Sequence, residues 1–448
     1  MAGWILLICV VLSGCNGCSS TPVPVFAPLR DAPSRRPVIL VPGITGSLLR
    51  DRVTRKIVWG TGYRLVTPHD GGYAVAQPIG GSRAAPEFEA FAVIEKIRLG
   101  PVTKDIYGPI ARLLETNGYR RGDLNAPRPE ENLFLFPYDW RLDNEVTVRL
   151  LLEKLEGVRR SRGEDRLGVD LICQSNGAHI CRYLIKYGDA PFAQAEAGRA
   201  VPPAAIDVGK LILVGTSNGG SLRILRELDR GRKYISVIGR KIQPEVLFTF
   251  PALFQDLPGY RAKLFLDERG RPLDIDLYDP ANWEKYGWSI YGAEARKRMA
   301  RRGGAEIFGG PEQWTAYLRE TLAQVRRLQR LLVRDVDGFG ATRYYLLQNV
   351  YNETPDYAVL LEEDGEWKTL FTGDEELMRR PYLHALASAP GDGHASLESQ
   401  MWLSPQERAA IAARPFYIRD EHFEMILDPA TLRCLVEFLH AGDRPLPP

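Results

Sequence analysis

A serine stands where an apolar strand meets a helix, in the stretch VDLICQSNGAHICRYLIKYG from Val169 to Gly188. Ser175 is followed two residues later by Gly177, and Cys173 stands where the pattern G-x-S-x-G has its first glycine. A strand–turn–helix of this kind exposes a serine hydroxyl on a sharp turn, as acyl transfer through a serine nucleophile requires. A serine that only caps the helix gives the same local pattern. The strand before it and the helix after it favour the nucleophile.

A serine nucleophile needs a histidine to accept its proton, and the chain has six histidines. We predict that His422 is this base, because it follows the strand-like PFYIR and precedes the helix-like ATLRCLVEFLH late in the chain. His394, in APGDGHASLES, is the rival candidate. His179 lies four residues after Ser175 on the predicted helix, so we expect a structural role for it. The other histidines carry no motif: His69, His384 and His440.

A carboxylate must orient the base, and in this chain order it falls between the serine and the histidine. Asp392 has a glycine on each side, which lets a tight turn present its side chain. We therefore predict that Asp392 is the acid, although an Asp-Gly pair also occurs in ordinary surface turns. The weaker alternatives are Asp356, Asp364 and Asp374. Asp364, in EEDGEW, is better explained by a hairpin turn.

Two backbone N–H groups must stabilise the negative charge that develops on the substrate oxygen. We expect one from Asn176, directly after the nucleophile, and one from the loop VPGITGS that follows the first core strand. Thr45 is the predicted donor in that loop, because the Pro-Gly bend and Gly46 let the backbone turn inward. Each donor would contribute on the order of 3 kcal/mol to the transition state.

The elements that position these residues read as strands alternating with helices. Apolar runs such as Val38–Val41, Leu133–Phe136 and Leu211–Val214 are typical of buried parallel strands. The alternation predicts an α/β fold, a mostly parallel sheet flanked by helices. The alternation of strands and helices is interrupted over about 221–342, which we interpret as an inserted cap. A small lid is expected at about 50–90. The whole domain is expected to extend over 35–448.

The N-terminus differs from the rest of the chain. Residues 1–14 contain a short apolar run that is typical of a signal peptide, and LSGC places Cys15 in a lipobox-like position for lipidation. The alternative is a buried N-terminal strand or helix. Residues 15–34 then form a tether. We expect an exported bacterial lipoprotein held at a membrane, and Asn16 in place of Asp favours the outer membrane or periplasm over the inner membrane.

Charge and cysteine content limit the functional classes. The formal net charge is +2, which gives no reason to expect a nucleic acid partner. Cys173, Cys181 and Cys434 are interpreted as small apolar side chains, and a disulfide among them cannot be assigned from spacing. The His, Cys and Asp residues lack metal-ligand spacing, so neither a metal nor another cofactor is expected.

Several motifs in order resemble the lecithin:cholesterol acyltransferase family, which includes phospholipid:diacylglycerol acyltransferases and group XV phospholipase. They extend over about Arg36 to His440 and are PVILVPGITGSLL, the VW at Val58–Trp59, FPYDWRLD, CQSNG, GTSNGGS, FTFPALFQDLP, GDGHAS and EHFEMI. Three departures stand out: Cys173 replaces a glycine, His394–Ser396 replaces Thr-Val-Pro, and Ser217 replaces a proline. Cys173 is interpreted as a local packing substitution, so Cys173→Gly is expected to retain activity.

The resemblance implies an α/β-hydrolase fold and assigns the nucleophile, acid and base roles to Ser175, Asp392 and His422. It also implies a lid tryptophan at Trp59 and a cap segment whose exposed aromatic side chains would guide an acyl chain. The substrate and lid residues predicted in this way are Trp59, Phe250, Leu253 and Phe254.

The expected function is lipid O-acyl transfer from a phospholipid, through an acyl-serine, to an alcohol acceptor such as a sterol or glyceride. The first alternative is a phospholipase or lipase, in which water resolves the same intermediate. The second alternative is a non-catalytic lipid-binding lipoprotein that kept the fold. The sequence does not separate transfer from hydrolysis, because the acceptor depends on the shape of the cap and on water exclusion.

Overall fold

A computed structural model describes residues 36–62, 70–81, 87–99, 102–233 and 241–440. The predicted signal peptide, the tether and Cys15 lie outside the described residues. None of the described helices is both long enough and apolar enough to cross a membrane.

The strands of the described residues are numbered in chain order. They are β1 (Val38–Val41), β2 (Ser47–Asp51), β3 (Ile57–Trp59), β4 (Phe88–Val93), β5 (Lys96–Leu99), β6 (Val102–Asp105), β7 (Leu133–Leu135), β8 (Leu167–Gln174), β9 (Ile206–Val214), β10 (Phe265–Leu266), β11 (Pro272–Leu273), β12 (Arg343–Gln348), β13 (Asn352–Pro355), β14 (Ala358–Glu363), β15 (Glu366–Leu370), β16 (Ser388–Gly391) and β17 (Phe416–Tyr417).

The α-helices of the same residues are numbered likewise. They are α1 (Gly108–Thr116), α2 (Asn144–Ser161), α3 (Gly177–Tyr187), α4 (Phe192–Glu196), α5 (Leu222–Arg230), α6 (Pro244–Leu247), α7 (Pro251–Phe254), α8 (Pro280–Lys285), α9 (Ala293–Arg301), α10 (Ala305–Phe308), α11 (Pro311–Val333), α12 (Glu375–Met378), α13 (Pro381–Ala387), α14 (Leu397–Gln400), α15 (Pro405–Ala409) and α16 (Pro429–His440).

A six-stranded sheet in the order β17-β12-β9-β8-β1-β7 forms the centre of the molecule, and every neighbouring pair in it is parallel. Alternate residues of its strands enter two separate cores: Ile39 and Val41 lie in one, and Val38 and Leu40 lie in the other. Because both faces are covered, the inner strands contain continuous apolar runs such as Val38–Val41 and Leu211–Val214. The predicted α/β architecture is confirmed.

Smaller sheets lie outside this centre. β3, β2 and β4 form an antiparallel sheet within the region expected as the lid. A four-stranded sheet, β11-β10-β14-β15, combines strands from the interval 221–342 with a hairpin that follows β12. The interval 221–342, predicted to form the cap, therefore shares a sheet with residues 358–370 through its described strands.

Candidate active site

Ser175 occupies the sharp turn between β8 and α3. Its φ angle is +52°, a left-handed conformation that costs a non-glycine residue about 1–3 kcal/mol unless its surroundings hold it. Gly177 begins α3, and a Cβ there would lie 2.6 Å from the Val41 carbonyl oxygen of the neighbouring strand. The close approach of helix and strand explains the glycine after the serine. The turn directs the Ser175 side chain towards the ends of the parallel strands.

Three predicted residues lie in a hydrogen-bonded row at this edge of the sheet. The Ser175 hydroxyl lies 3.0 Å from Nε2 of His422, and Nδ1 of His422 lies 2.7 Å from Oδ2 of Asp392. Asp392 follows β16 and His422 follows β17, and the His422 N–H donates to the Asp392 carbonyl at 3.0 Å. Ser175 is 7% exposed, and the other two side chains are almost fully buried. The row has the geometry that transfers a proton from a serine to a histidine.

Asp392 is held as a carboxylate. Its Oδ1 accepts backbone N–H groups from His394 at 2.9 Å and from Ala395 at 2.7 Å, while Oδ2 faces His422. Burial acts to raise the pKa of Asp392, but the His422 ring and these hydrogen bonds outweigh it and lower the pKa. An ionised Asp392 can orient the His422 ring and stabilise its protonated form.

The loop after β1 lies directly against Ser175. A Cβ on Gly43 would be 2.8 Å from the Ser175 Cβ and 2.6 Å from Oε1 of Gln174, so only glycine fits at that position. Thr45 has a φ of +70°, and its carbonyl accepts the indole N–H of Trp59 at 3.2 Å. In the described part of the chain, the N–H groups of Thr45 and Asn176 donate no hydrogen bond, which leaves both free for a substrate oxygen.

A hydrogen bond chain that the sequence did not predict ties this loop to the turn. The Tyr107 hydroxyl donates to Oε1 of Gln174 at 2.7 Å and accepts the Gly43 N–H at 3.0 Å. Tyr107 is buried, and burial raises the pKa of its hydroxyl, so it stays a donor. Its place before α1, far from any motif, gave no signal in the sequence.

The predicted lid and cap side chains are buried. Trp59 packs on Trp140 with ring centroids 4.9 Å apart, and Trp140 packs on Phe250 at 5.5 Å. Leu253 is buried, and Phe254 packs on other aromatic rings of the cap core. The expectation that aromatic side chains of this segment are exposed is wrong for Phe250 and Phe254, whereas a contact of these residues, Leu253 or Trp59 with a substrate stays a prediction. The large apolar surfaces of Phe250 and Phe254 are used to fill the cap core.

The rival histidines are not part of the hydrogen-bonded row, although one of them adjoins it. His394 stacks on His422, with ring centroids 4.3 Å apart, and its Nε2 lies 3.4 Å from Oδ2 of the buried Asp256. Burial and the adjacent His422 hold the pKa of His394 well below its usual range. His179 is buried in α3 with Nε2 2.9 Å from the Ser217 carbonyl, which gives it the expected structural position.

The alternative carboxylates have other contacts. Asp356 pairs with Arg261 and accepts the Tyr260 hydroxyl. Asp374 accepts the Phe371 N–H at the start of α12. Asp364 forms the turn of the β14–β15 hairpin with a φ of +52°, as the Asp-Gly pair predicts.

Two of the cysteines are not independent apolar side chains. Cys173 and Cys181 form a disulfide across the turn that carries Ser175, which corrects their interpretation from the sequence. Cys434 is a buried free cysteine. Spacing alone could not reveal the bond. A strand residue and a helix residue that are 8 positions apart come close only if the chain turns sharply between them, and the sequence gives that turn only as a prediction. Among the described residues, no group of three or more His, Cys, Asp or Glu side chains could hold a metal ion.

The parallel sheet and the position of Ser175 on the turn from strand to helix define an α/β-hydrolase fold. The solved structure of the Tle4-Tli4 complex contains a chain that aligns over 91% of this chain and 98% of its own, with 12% identity and a TM-score of 0.52. The mature lipase BlEst2 of Bacillus licheniformis aligns over 93% of this chain and 96% of its own, with 10% identity and a TM-score of 0.34. The first of these supports the fold alone.

The family match is more specific than the fold. The family model described as lecithin:cholesterol acyltransferase matches residues 53–246, fewer than half of the 448 residues. The resemblance seen in the motifs is confirmed over this part of the chain, which is similar to that family. The match includes Ser175 and Asn176, whereas Asp392 and His422 lie beyond it. No curated protein sequence matches the chain. Family and fold together support a lipid acyltransferase or hydrolase of the serine-hydrolase type.

Proposed function

We propose that this protein is a lipid O-acyltransferase that moves a fatty acyl group from a phospholipid, through an acyl-Ser175 intermediate, to an alcohol such as a sterol or glyceride. The observation that carries the proposal is the hydrogen-bonded row from Ser175 through His422 to Asp392, with separations of 3.0 and 2.7 Å. It occurs in a chain whose family acts on acyl lipids.

In the first half-reaction, His422 Nε2 accepts the Ser175 proton as Oγ attacks the ester carbonyl. The N–H groups of Thr45 and Asn176 would bind the oxyanion, and each such donor is worth roughly 3 kcal/mol in the transition state. The tetrahedral intermediate then collapses, the ester C–O bond breaks, and the leaving lysolipid oxygen takes the proton from His422. Asp392 stabilises the protonated ring throughout.

In the second half-reaction, the acceptor alcohol replaces the lysolipid. His422 takes the alcohol proton as its oxygen attacks the acyl-Ser175 carbonyl, and then returns that proton to the departing Ser175 Oγ. Hydrolysis follows the same steps with water in place of the alcohol. The burial of all three side chains supports transfer, because a site that excludes bulk water favours an alcohol held beside the acyl group.

The deciding experiment incubates the purified protein with vesicles of acyl-labelled phospholipid that also contain a sterol or a long-chain alcohol. We expect labelled ester of that alcohol, and none with Ser175→Ala. Free fatty acid and lysolipid as the only products would make the protein a phospholipase. A protein that a fluorophosphonate fails to label at Ser175 while folded would instead be a lipid-binding protein.

We further propose that the protein is an exported lipoprotein anchored through Cys15, with the outer membrane or periplasm favoured. The support is the LSGC sequence after a short apolar run. Cys15→Ala is expected to move the protein from the membrane fraction to the soluble fraction. Unchanged partitioning would contradict the anchor and leave the acyl chemistry unaffected.

A further inference from the structure

The disulfide bridges the two arms of the turn that presents Ser175. Cys173 is the second-last residue of β8, and Cys181 lies in the second turn of α3. Their Cα atoms are 7.0 Å apart, and both side chains are fully buried. The bond thus spans Ser175 from the strand side to the helix side.

The turn needs such a restraint. Ser175 is held at a φ of +52°, where a non-glycine residue stays only if its surroundings fix it. Cys173 already pairs with Val41 on one side and Leu213 on the other, so it belongs to the rigid centre of the sheet. A covalent link from that centre to the second turn of α3 prevents the helix from moving away and relaxing the turn.

We propose that Cys173 and Cys181 are positioning residues, and that Ser175 becomes a competent nucleophile only when they are joined. The inference rests on the proposed function of Ser175. On joining, the two thiols lose two protons and two electrons as the S–S bond forms. A disulfide oxidant of the thiol–disulfide exchange class accepts them and becomes a dithiol.

This requirement makes activity depend on an oxidising compartment. Reducing conditions keep cysteines as thiols, and oxidising conditions join them. A chain that has not left a reducing compartment would then carry a misaligned Ser175 and spare the lipids there. Because both sulfur atoms are buried, the finished bond is shielded from small reductants, so the bond acts in assembly and not as a reversible sensor.

The test compares Cys173→Ala, Cys181→Ala and the double variant with the oxidised wild type. The readouts are the rate of Ser175 labelling by a fluorophosphonate, and kcat and KM on a short-chain ester, below the temperature at which circular dichroism detects unfolding. We expect labelling and kcat to fall at least about 10-fold, since small misplacements of reacting groups carry penalties of this size, with KM nearly unchanged. Cys434→Ala, which removes a buried cysteine outside the bond, is the matched control and should keep the wild-type rates.

Cys173→Gly separates positioning from packing. It restores the glycine of the usual pattern but removes the bond. In place of the retained activity expected from the sequence alone, we now expect Cys173→Gly to be as slow as Cys173→Ala, and wild-type rates would overturn the proposal. If the variants fold poorly, the wild type is used instead. It is reduced under mild denaturant and returned to native conditions, with the thiols blocked in one sample and free in another. The sample with free thiols is then reoxidised. Activity should return only on reoxidation, and full activity with blocked thiols would overturn the proposal.

The two proposals fail differently. If the oxidised wild type, with the Cys173–Cys181 peptide confirmed by non-reducing mass mapping, is neither labelled nor active, the proposed function fails and this inference with it. If the wild type is labelled and the bond-free variants are labelled equally fast, only the positioning role is wrong. An active wild type in which mapping finds free thiols at both positions also overturns it.

Discussion

The Tyr138 hydroxyl donates to the Pro42 carbonyl at 2.9 Å, which joins the FPYDWRLD segment to the loop beside Ser175. The same hydroxyl lies 3.4 Å from Nδ2 of Asn176, and the Asn176 amide forms a reciprocal pair with Asn144 at 2.9 and 3.0 Å. One buried tyrosine therefore connects the two backbone segments that carry the predicted oxyanion donors.

Tyr138→Phe is expected to reduce kcat about 10-fold and leave KM nearly unchanged, because the loop and the turn lose their link but no substrate contact changes. The buried Pro42 carbonyl would lose its partner, so unfolding free energy should fall by about 1–3 kcal/mol. Steady-state kinetics and urea unfolding measure both. Tyr187→Phe is the matched control, because Tyr187 makes a similar buried bond to the Leu331 carbonyl at 2.8 Å. Equal kcat losses in both variants would count against the link.

Asp392→Asn should reduce kcat by about 10⁴-fold with little change in fold, since an amide can hold the wrong His422 tautomer and cannot stabilise the protonated ring. The measurement is the rate of acyl-ester turnover together with a circular dichroism spectrum. Asp364→Asn is the control, because this other Asp-Gly aspartate forms an exposed hairpin turn and asparagine tolerates its positive φ. Activity retained by Asp392→Asn would assign the acid role elsewhere.

His394 places an uncharged ring against His422, the predicted base. It stacks on His422 at 4.3 Å, and its low pKa keeps it neutral, so it adds no repulsion when His422 is protonated. A neutral His394 takes up no proton of its own on the acid side of the activity profile, so the slope of log(kcat/KM) against pH there should be the same with and without its imidazole. His394→Phe keeps a flat ring and should retain this profile, whereas His394→Ala removes the stack and should lower kcat. A slope of two in the wild type, lost in His394→Phe, would mean that His394 titrates too.

Much of this fold follows from patterns that are local in sequence. The strand predicted at Val38–Val41 coincides with β1, and the helix after Ser175 follows the predicted turn. Continuous apolar runs show a strand buried on both faces, and a turn with special backbone angles requires glycine nearby. Ser175, Asp392 and His422 could be selected as candidates from the sequence because each follows a strand and because they occur in the expected chain order.

Contacts between distant segments were not predictable in this way. Tyr107 reaches Gln174 across 67 residues, and His394 stacks on His422 from a different loop. Aromatic residues of the cap looked available to a substrate, but Phe250 and Phe254 are buried because tertiary packing decides which face of a short helix is covered. A single sequence contains the residues of these contacts but not the geometry that joins them.

The helix that follows Ser175, α3, is anchored by fully buried ionic contacts beyond its first turn. Arg182 of α3 binds both carboxylate oxygens of Glu407 at 2.8 and 2.7 Å, and Lys186 approaches the same carboxylate at 3.3 Å. Burial acts to raise the pKa of Glu407, but Arg182 and Lys186 outweigh it and lower the pKa to about 2. The ionised carboxylate is therefore the form that the fold stabilises.

Glu407 should make the protein sensitive to acid. Its folded pKa of about 2 lies below the unfolded value of about 4.3, so its contribution is fully present above that unfolded value and is lost as pH falls towards 2. Glu407→Gln leaves Arg182 and Lys186 without their counter-charge and should lower the unfolding free energy at pH 7 by about 3–5 kcal/mol. Urea unfolding between pH 7 and pH 3 should show that the variant loses less stability on acidification than the wild type. Glu294→Gln, which breaks an exposed pair with Lys297, should leave the unfolding free energy almost unchanged, and a Glu407→Gln effect as small as this would show that the buried pair does not anchor the helix.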